Sequence, residues 1–476
     1  MLWTLGLATA IALAWSAPSA GAALRPLNTG ISNVYSNEEV AFTHVRETGS
    51  TMALSPIRWK NIAPDKLPLA WNPEDPADPN YDWDFIDKWV TRAVSAGLTP
   101  VLQVRSAPTW AERCTPDPNY ESVCDPDPAV LAAFTRAAVR RFSGFFGGLP
   151  RVRYWEGLNE PNLSLFFEPQ FVGDKPASPG LYRTLLNTFY ATVKSVDPSN
   201  LVLAPGLGPV ESAPFSIGPM RFTRLLLCMK GSRNPRPTAG NCGGGVNFDI
   251  FDIHPYTTGS PTHAGGPNDV EMGDLAKLQE LLTAADKAGR IVGAFKRTPV
   301  WITEFSYDTR PPDPGGLDMR IAVQWVAESL YQAWSHGVSN FMWYSLDDEE
   351  AGPGIPHDSG QSGLYYWAPT VAAEQPKPVM YAYRFPFVAF RREKGLEFWG
   401  RTPDSSGGRL VLQVRRGGKW RKVGAARANS VGIFKGFVRT GYGKGKKGAV
   451  RASFAGSASP GFPMRRVGDF FQPPFG

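Results

Sequence analysis

A chain of 476 residues, 42% hydrophobic and 20% charged, has the composition of a globular protein, and its length suits one barrel of about 250 residues or more with a smaller module beside it. The formal charge of +7 is unevenly placed: 19 Lys and Arg stand against 4 Asp and Glu from Arg391 onward, and 31 against 39 before it. Past the N-terminal apolar run no segment reaches transmembrane length, and there is no phosphate loop, metal-ligand cluster or Ser/His/Asp arrangement, so no metal and no cofactor is expected.

Leu2 to Trp15 is apolar but too short to span a bilayer comfortably, and the small residues Ala17 to Ala23 follow. Residues 1–23 therefore read as a secretory signal cleaved near Ala20 to Ala23. With no basic residue at its start, an uncleaved anchor is the alternative. An exported chain can oxidise its four cysteines. Cys114 with Cys124 and Cys228 with Cys242 each bracket one Pro- or Gly-rich loop, which favours local pairing over the other two connectivities. A metal site is the competing reading, without a Cys-x-x-Cys or clustered His to support it.

Thr29–Asn33 reads as a first strand, Glu38–Glu47 as the helix returning from it, and Thr51–Ser55 as a second strand. After an Asp/Pro-rich loop, Phe85, Ile86, Trp89, Val90, Ala93 and Val94 recur at helical spacing and stop at Gly97. Pro100–Val104 is strand three, Val152–Trp155 strand four, Leu201–Ala204 strand five, Phe248–His254 strand six, Val300–Thr303 strand seven and Asn340–Tyr344 strand eight. Helical patterns separate strands three to five and six to eight, whereas Pro205 to Gly245 reads as a Pro/Gly-rich excursion. Eight short apolar strands alternating with helices predict an α/β fold, a (β/α)8 TIM barrel, over residues 24–392. A doubly wound sheet is the runner-up, but no Gly-x-Gly-x-x-Gly opens a helix. From about Leu396 the texture changes to Gly-punctuated alternation, as in Arg409–Arg415 and Gly432–Val438. Residues 393–476 are thus expected to form a small C-terminal antiparallel β domain, sandwich-like and basic.

Two strand-like runs each end in one glutamate: Tyr154-Trp-Glu-Gly-Leu-Asn159-Glu160-Pro161 and Val300-Trp-Ile-Thr-Glu304. In a barrel the carboxyl ends of the strands form one mouth, so Glu160, His254, Glu304 and Trp343 would all face it. Trp155 to Pro161 followed by Trp301 to Phe305 resembles the retaining glycoside hydrolases of clan A, which include cellulase-like and β-xylosidase-like families. In that clan the acid/base Glu follows an Asn at the end of strand four and the nucleophile Glu ends strand seven. The resemblance implies Glu160 as acid/base, Glu304 as nucleophile and Asn159 as a contact to the sugar 2-hydroxyl. It further implies His254 and Tyr256 as positioners of the nucleophile or the sugar, Trp343 as the floor of a sugar subsite, and Arg105 and Trp110 as substrate holders past strand three. One departure stands out: the Arg that many clan members carry near the end of strand two falls on Leu54, with Arg58 nearby but out of phase. The function expected is an exported retaining glycosidase acting on a β-linked oligo- or polysaccharide. The alternative is a non-catalytic carbohydrate-binding or cell-envelope attachment protein. The basic tail would attract an acidic polymer such as a cell-envelope polyanion, and nucleic acid is not expected of an exported chain.

Overall fold

The computed structural model describes residues 24–118, 122–240, 242, 244–350, 360–440 and 448–472. The expected signal, residues 1–23, lies outside them. Eight strands, β1 (Asn28–Ser32), β2 (Met52–Arg58), β3 (Thr99–Arg105), β4 (Tyr154–Gly157), β5 (Leu201–Leu207), β6 (Ile250–Ile253), β7 (Val300–Ile302) and β8 (Val338–Tyr344), close into a barrel in sequence order, with β8 pairing back to β1. Every pairing around it is parallel. The principal helix after each strand is α1 (Glu39–Glu47), α2 (Asp84–Ser95), α3 (Pro128–Arg141), α4 (Ser178–Val196), α5 (Pro219–Leu226), α6 (Leu275–Lys287), α7 (Met319–Ser335) and α8 (Pro378–Arg384). Among the described residues no helix is long and apolar enough to cross a membrane.

Side chains alternate along a strand, so every second residue enters the barrel. The inward set begins apolar: Met52, Leu54, Val101, Leu201, Leu203, Ile250, Trp301 and Met342 form one buried cluster, with Tyr154 against it. Two residues further along β3, β4, β6 and β7 the inward positions turn polar, giving Gln103, Glu156, Asp252 and Thr303, all buried. The barrel is thus an apolar plug capped by a polar layer. The outward set joins the helices in a second, larger core that includes Trp89, Trp155, Trp325 and Trp343.

Three local outcomes differ from the sequence expectations. The excursion after β5 contains α5, opened by Pro219 at its first position behind Gly218, with Met220, Phe222 and Leu226 buried. That proline is a helix-start signal obscured by the surrounding Pro and Gly. Strand two runs on to Arg58, so Arg58 does end it, in register with Arg105 of β3. Finally, β9 (Phe387–Arg392), expected to close the barrel domain, pairs instead with β10 (Gly395–Arg401) as the first strand of the tail.

The tail is antiparallel throughout. β9, β10 and β13 (Ile433–Arg439) make one sheet; β11 (Gly408–Arg416), β12 (Lys419–Ala428), β14 (Ala449–Phe454), β15 (Ser457–Ala458) and β16 (Phe462–Pro463) make the other. It shares its core with the barrel through Trp399, whose ring centroid is 5.6 Å from Tyr331 and 5.5 Å from Trp334 on α7. Both local disulfides are formed, Cys114–Cys124 with Cα atoms 5.3 Å apart and Cys228–Cys242 with Cα atoms 5.8 Å apart.

Candidate active site

The chain leaves β4 through a contorted turn in which Leu158 and Glu160 both take positive φ, 64° and 37°. Non-glycine residues adopt that region at a cost and persist there when their surroundings hold them. Here Leu158 N–H donates to Val104 O at 3.0 Å and Glu160 N–H to Gly206 O at 3.0 Å, pinning the turn to the strands on either side. Asn162 completes the clamp, donating to Gly208 O and Ile217 O and accepting from Gly208 N–H. Glu160 is thereby aimed into the mouth on fixed backbone.

Glu304 lies two residues past the end of β7, across the mouth. Arg105, which ends β3, donates to Glu304 Oε1 at 2.6 Å and to Asn159 Oδ1 at 3.1 Å, and its Nε donates to Gln103 Oε1. Gln103 in turn donates to Asn159 Oδ1 at 3.0 Å and Glu156 Oε1 at 2.7 Å. Two donors on Oδ1 set the Asn159 amide with its NH2 on the opposite side. Arg105 was expected to hold substrate; the structure puts its guanidinium on Glu304. Arg58 ends the neighbouring strand, in register with Arg105.

His254 joins the two acids. Its Nδ1 is 2.9 Å from Glu160 Oε1 and 3.7 Å from Glu304 Oε2, and its Nε2 is 3.0 Å from Thr303 Oγ1. Thr303 spends its hydroxyl proton on Asp252 Oδ2, at 2.5 Å. Its oxygen must then accept from His254 Nε2–H, which fixes a proton on that nitrogen. A single further proton is shared between His254 Nδ1 and Glu160. The two contacts to one nitrogen cap the separation of Glu160 Oε1 and Glu304 Oε2 at about 6.6 Å, a limit compatible with the ~5–5.5 Å spacing of retaining glycosidases.

Burial raises the Glu160 carboxyl above its ordinary value, and the charge of Glu304 adds to this while His254 and Arg105 oppose it. Burial pulls His254 down, but Glu304, Asp252 and Glu160 outweigh it and leave the imidazole well above its usual range. Glu156 is raised well above a normal carboxyl by burial and by neighbouring Asp252. Glu156, Asp252 and His254 do bring ligand atoms within 4.8 Å of one another. Most of their donors and acceptors are engaged: Asp252 by Thr303 and by the Ile253 and Thr303 amides, His254 on both nitrogens, and Glu156 Oε1 by Gln103, while Glu156 Oε2 is buried without a hydrogen-bond partner. The three form a buried polar floor beneath the two acids. Gly206 makes room for it: its φ is +56°, and a Cβ there would stand 2.6 Å from Glu156 Oε1.

The remaining expected residues fall in different places. Tyr256 is buried beside the site, stacked on Phe305 with centroids 6.1 Å apart. Trp110 is half-buried, bonded through Nε1 to Pro64 O at 2.8 Å and packed edge-on against Trp59 and Trp71. Trp343 does not floor a subsite: it is fully buried in the outer core, packed near Phe305 and Tyr383, with Nε1–H donating to Ser362 O at 2.7 Å. Strand alternation is the reason, since Met342 faces the barrel interior and its neighbour must face the helices. Tyr344, one residue on, returns to the mouth, where its hydroxyl meets that of Tyr35 at 3.0 Å. Sequence reading missed both tyrosines, although period-2 phase from Met342 pointed to the second. Beside Tyr35 opens a cavity of about 430 Å³, also lined by Arg58, Asn61, Asp82, Asp84 and Phe85.

The architecture defines the class of fold, a (β/α)8 barrel of the kind found in glycoside hydrolases. The chain is similar to a family 39 glycoside hydrolase from the gut symbiont Bacteroides cellulosilyticus WH2, with TM-score 0.54 and 17% identity over 87% of this chain and 79% of that one. It is similar to the GH39 enzyme from Xanthomonas axonopodis pv. citri, with TM-score 0.51 and 15% identity over 88% and 92% of the two chains. A monomeric beta-xylosidase from Caulobacter crescentus CB15 gives TM-score 0.50 and 18% identity over 82% of each. No family model matches the sequence, and no curated protein matches it. The likeness is one of fold.

Proposed function

We propose that this chain is an exported retaining glycoside hydrolase that cleaves a β-linked oligo- or polysaccharide by double displacement. Glu160 is the acid/base and Glu304 the nucleophile. The observation that carries the reading is the single His254 Nδ1 within 2.9 Å of one carboxylate and 3.7 Å of the other, at the mouth of a barrel shared with glycosidases. In the first step a Glu304 oxygen attacks the anomeric carbon while Glu160 gives its proton to the departing oxygen, forming a glycosyl-enzyme ester and a free alcohol. The esterified Glu304 no longer carries charge, so the proton affinity of Glu160 falls and it takes a proton from water as that water attacks the same carbon. Arg105 holds Glu304 oriented before attack. The two disulfides support an oxidising compartment.

The test is a panel of aryl β-glycosides and β-glycans with the product anomer followed by proton NMR. Retention of configuration is expected, with Glu304→Ala inactive and Glu160→Ala rescued by azide on substrates with good leaving groups. Inversion, or hydrolysis indifferent to both substitutions, rejects the assignment. A wild type inactive across the panel favours a non-catalytic carbohydrate-binding protein.

A further inference from the structure

The tail carries a second surface that the proposed chemistry does not use. No Asp or Glu occurs between Ser405 and Gly468, so β11, β12 and β14 bear no acidic residue at all. Register sorts their cations by face. Leu410, Leu412 and Val414 of β11 are buried against the other sheet, and Arg409, Gln413 and Arg415 alternate with them on the outer face. Across the β11–β12 ladder Arg409 stands opposite Arg427, Gln413 opposite Lys422 and Arg415 opposite Trp420; on the other flank Gln413 is opposite Arg451. Five cations therefore share one sheet face.

Two features set this face apart from scattered surface charge. Arg409 and Arg427 are like charges in directly opposed positions, an arrangement that destabilises a sheet unless something neutralises it. Arg451 is held in place, its Nε donating to Gln413 Oε1 at 2.8 Å and its guanidinium over the Trp420 ring at 4.3 Å. Residues on one face of a strand recur every ~6.6 Å, so the outer cations are spread over about 20 Å between Arg409 and Arg415, with the uncharged Val411 and Gln413 between those two on β11. A like-charged face of that length, with no acidic residue on its strands, is complementary to a linear polyanion.

We infer that the outer face of β11, β12 and β14 is a docking surface for an acidic polysaccharide, a glycan carrying carboxylate or sulfate groups, and that it tethers the barrel to such a polymer. The choice of a glycan over other polyanions rests on the proposed function; the charge pattern does not.

Full-length Glu304→Gln protein, which binds without turnover, is tested by affinity electrophoresis in gels containing polygalacturonate, heparin, neutral xylan or no polymer, and by titration with a DNA duplex. Retardation by the two acidic glycans and none by xylan is expected. The affinity should fall as salt contracts the screening length, and drop about tenfold or more in Arg409→Gln/Arg415→Gln/Arg427→Gln. The triple variant is also melted: relief of the Arg409–Arg427 repulsion keeps its transition at or above that of the parent, so lost binding is not lost folding. Equal retardation by xylan, salt-independent binding, or a triple variant that binds as the parent does overturns the proposal. Tighter binding of the DNA duplex than of either glycan overturns the choice of partner. Polygalacturonate binding by a wild type that hydrolyses nothing sustains this surface and removes the proposed function, so the two readings fail separately.

Discussion

Arg105 Nη2 donates to Glu304 Oε1 at 2.6 Å, both side chains nearly shielded from solvent. In so dry a setting the pair cannot be replaced by water, and removing the cation leaves a buried carboxylate uncompensated. Arg105→Met should lower kcat/KM on an aryl glycoside by about 10²-fold or more, the scale of losing one aligned donor at a reacting group. Steady-state kinetics of the variant check this; an unchanged kcat/KM would count against the pair.

His254 shares one proton with Glu160 and lowers that acid's proton affinity through its hydrogen bond and charge. His254→Asn should therefore raise the Glu160 value further. Since deprotonation of the acid closes the basic limb of kcat/KM, that limb should shift to higher pH while the maximum rate falls. A basic limb that moves down would reverse the assigned direction of coupling.

Gly206 is the position where the polar floor has no room to give. Gly206→Ala puts a Cβ 2.6 Å from Glu156 Oε1 in a backbone region with φ +56°. The loss in stability should be about 1–3 kcal/mol, read by urea denaturation. Glu156→Gln, by contrast, replaces a carboxyl whose proton affinity burial and Asp252 raise with a neutral group of the same shape, and should leave the denaturation midpoint nearly unchanged.

The C-terminal segment straps back onto the barrel. Asp469 accepts from His263 Nδ1 at 2.8 Å and from Ser260 N–H at 2.7 Å, and Gln472 N–H reaches Thr258 O at 2.7 Å. The bond to Asp469 raises His263 above its ordinary 6.5. A folded value above the unfolded one means the contact contributes fully below pH 6.5 and is lost as pH rises through the raised value. Limited proteolysis after Met464 should accordingly quicken with rising pH across that window. Asp469→Asn should make cleavage faster at low pH and flatten its pH dependence.

Much of the barrel was written in local pattern. Alternating apolar strands and amphipathic helices fix a (β/α)8 fold because each strand must bury both faces and each helix one. The two strand-ending glutamates and the local cysteine pairs could be read the same way, from strand ends and loop spans. What the sequence could not assign was facing and partnership. Trp343 and Tyr344 are adjacent in the chain, yet one-residue phase sends the first into the outer core and the second to the mouth. Arg105 comes to Glu304 across 199 positions, and His254 to Glu160 across 94, only because the barrel closes. Side-chain type is a local property and can be read residue by residue. Which carboxylate an arginine neutralises, and which acid an imidazole shares its proton with, are set by distances that exist only once the eight strands meet.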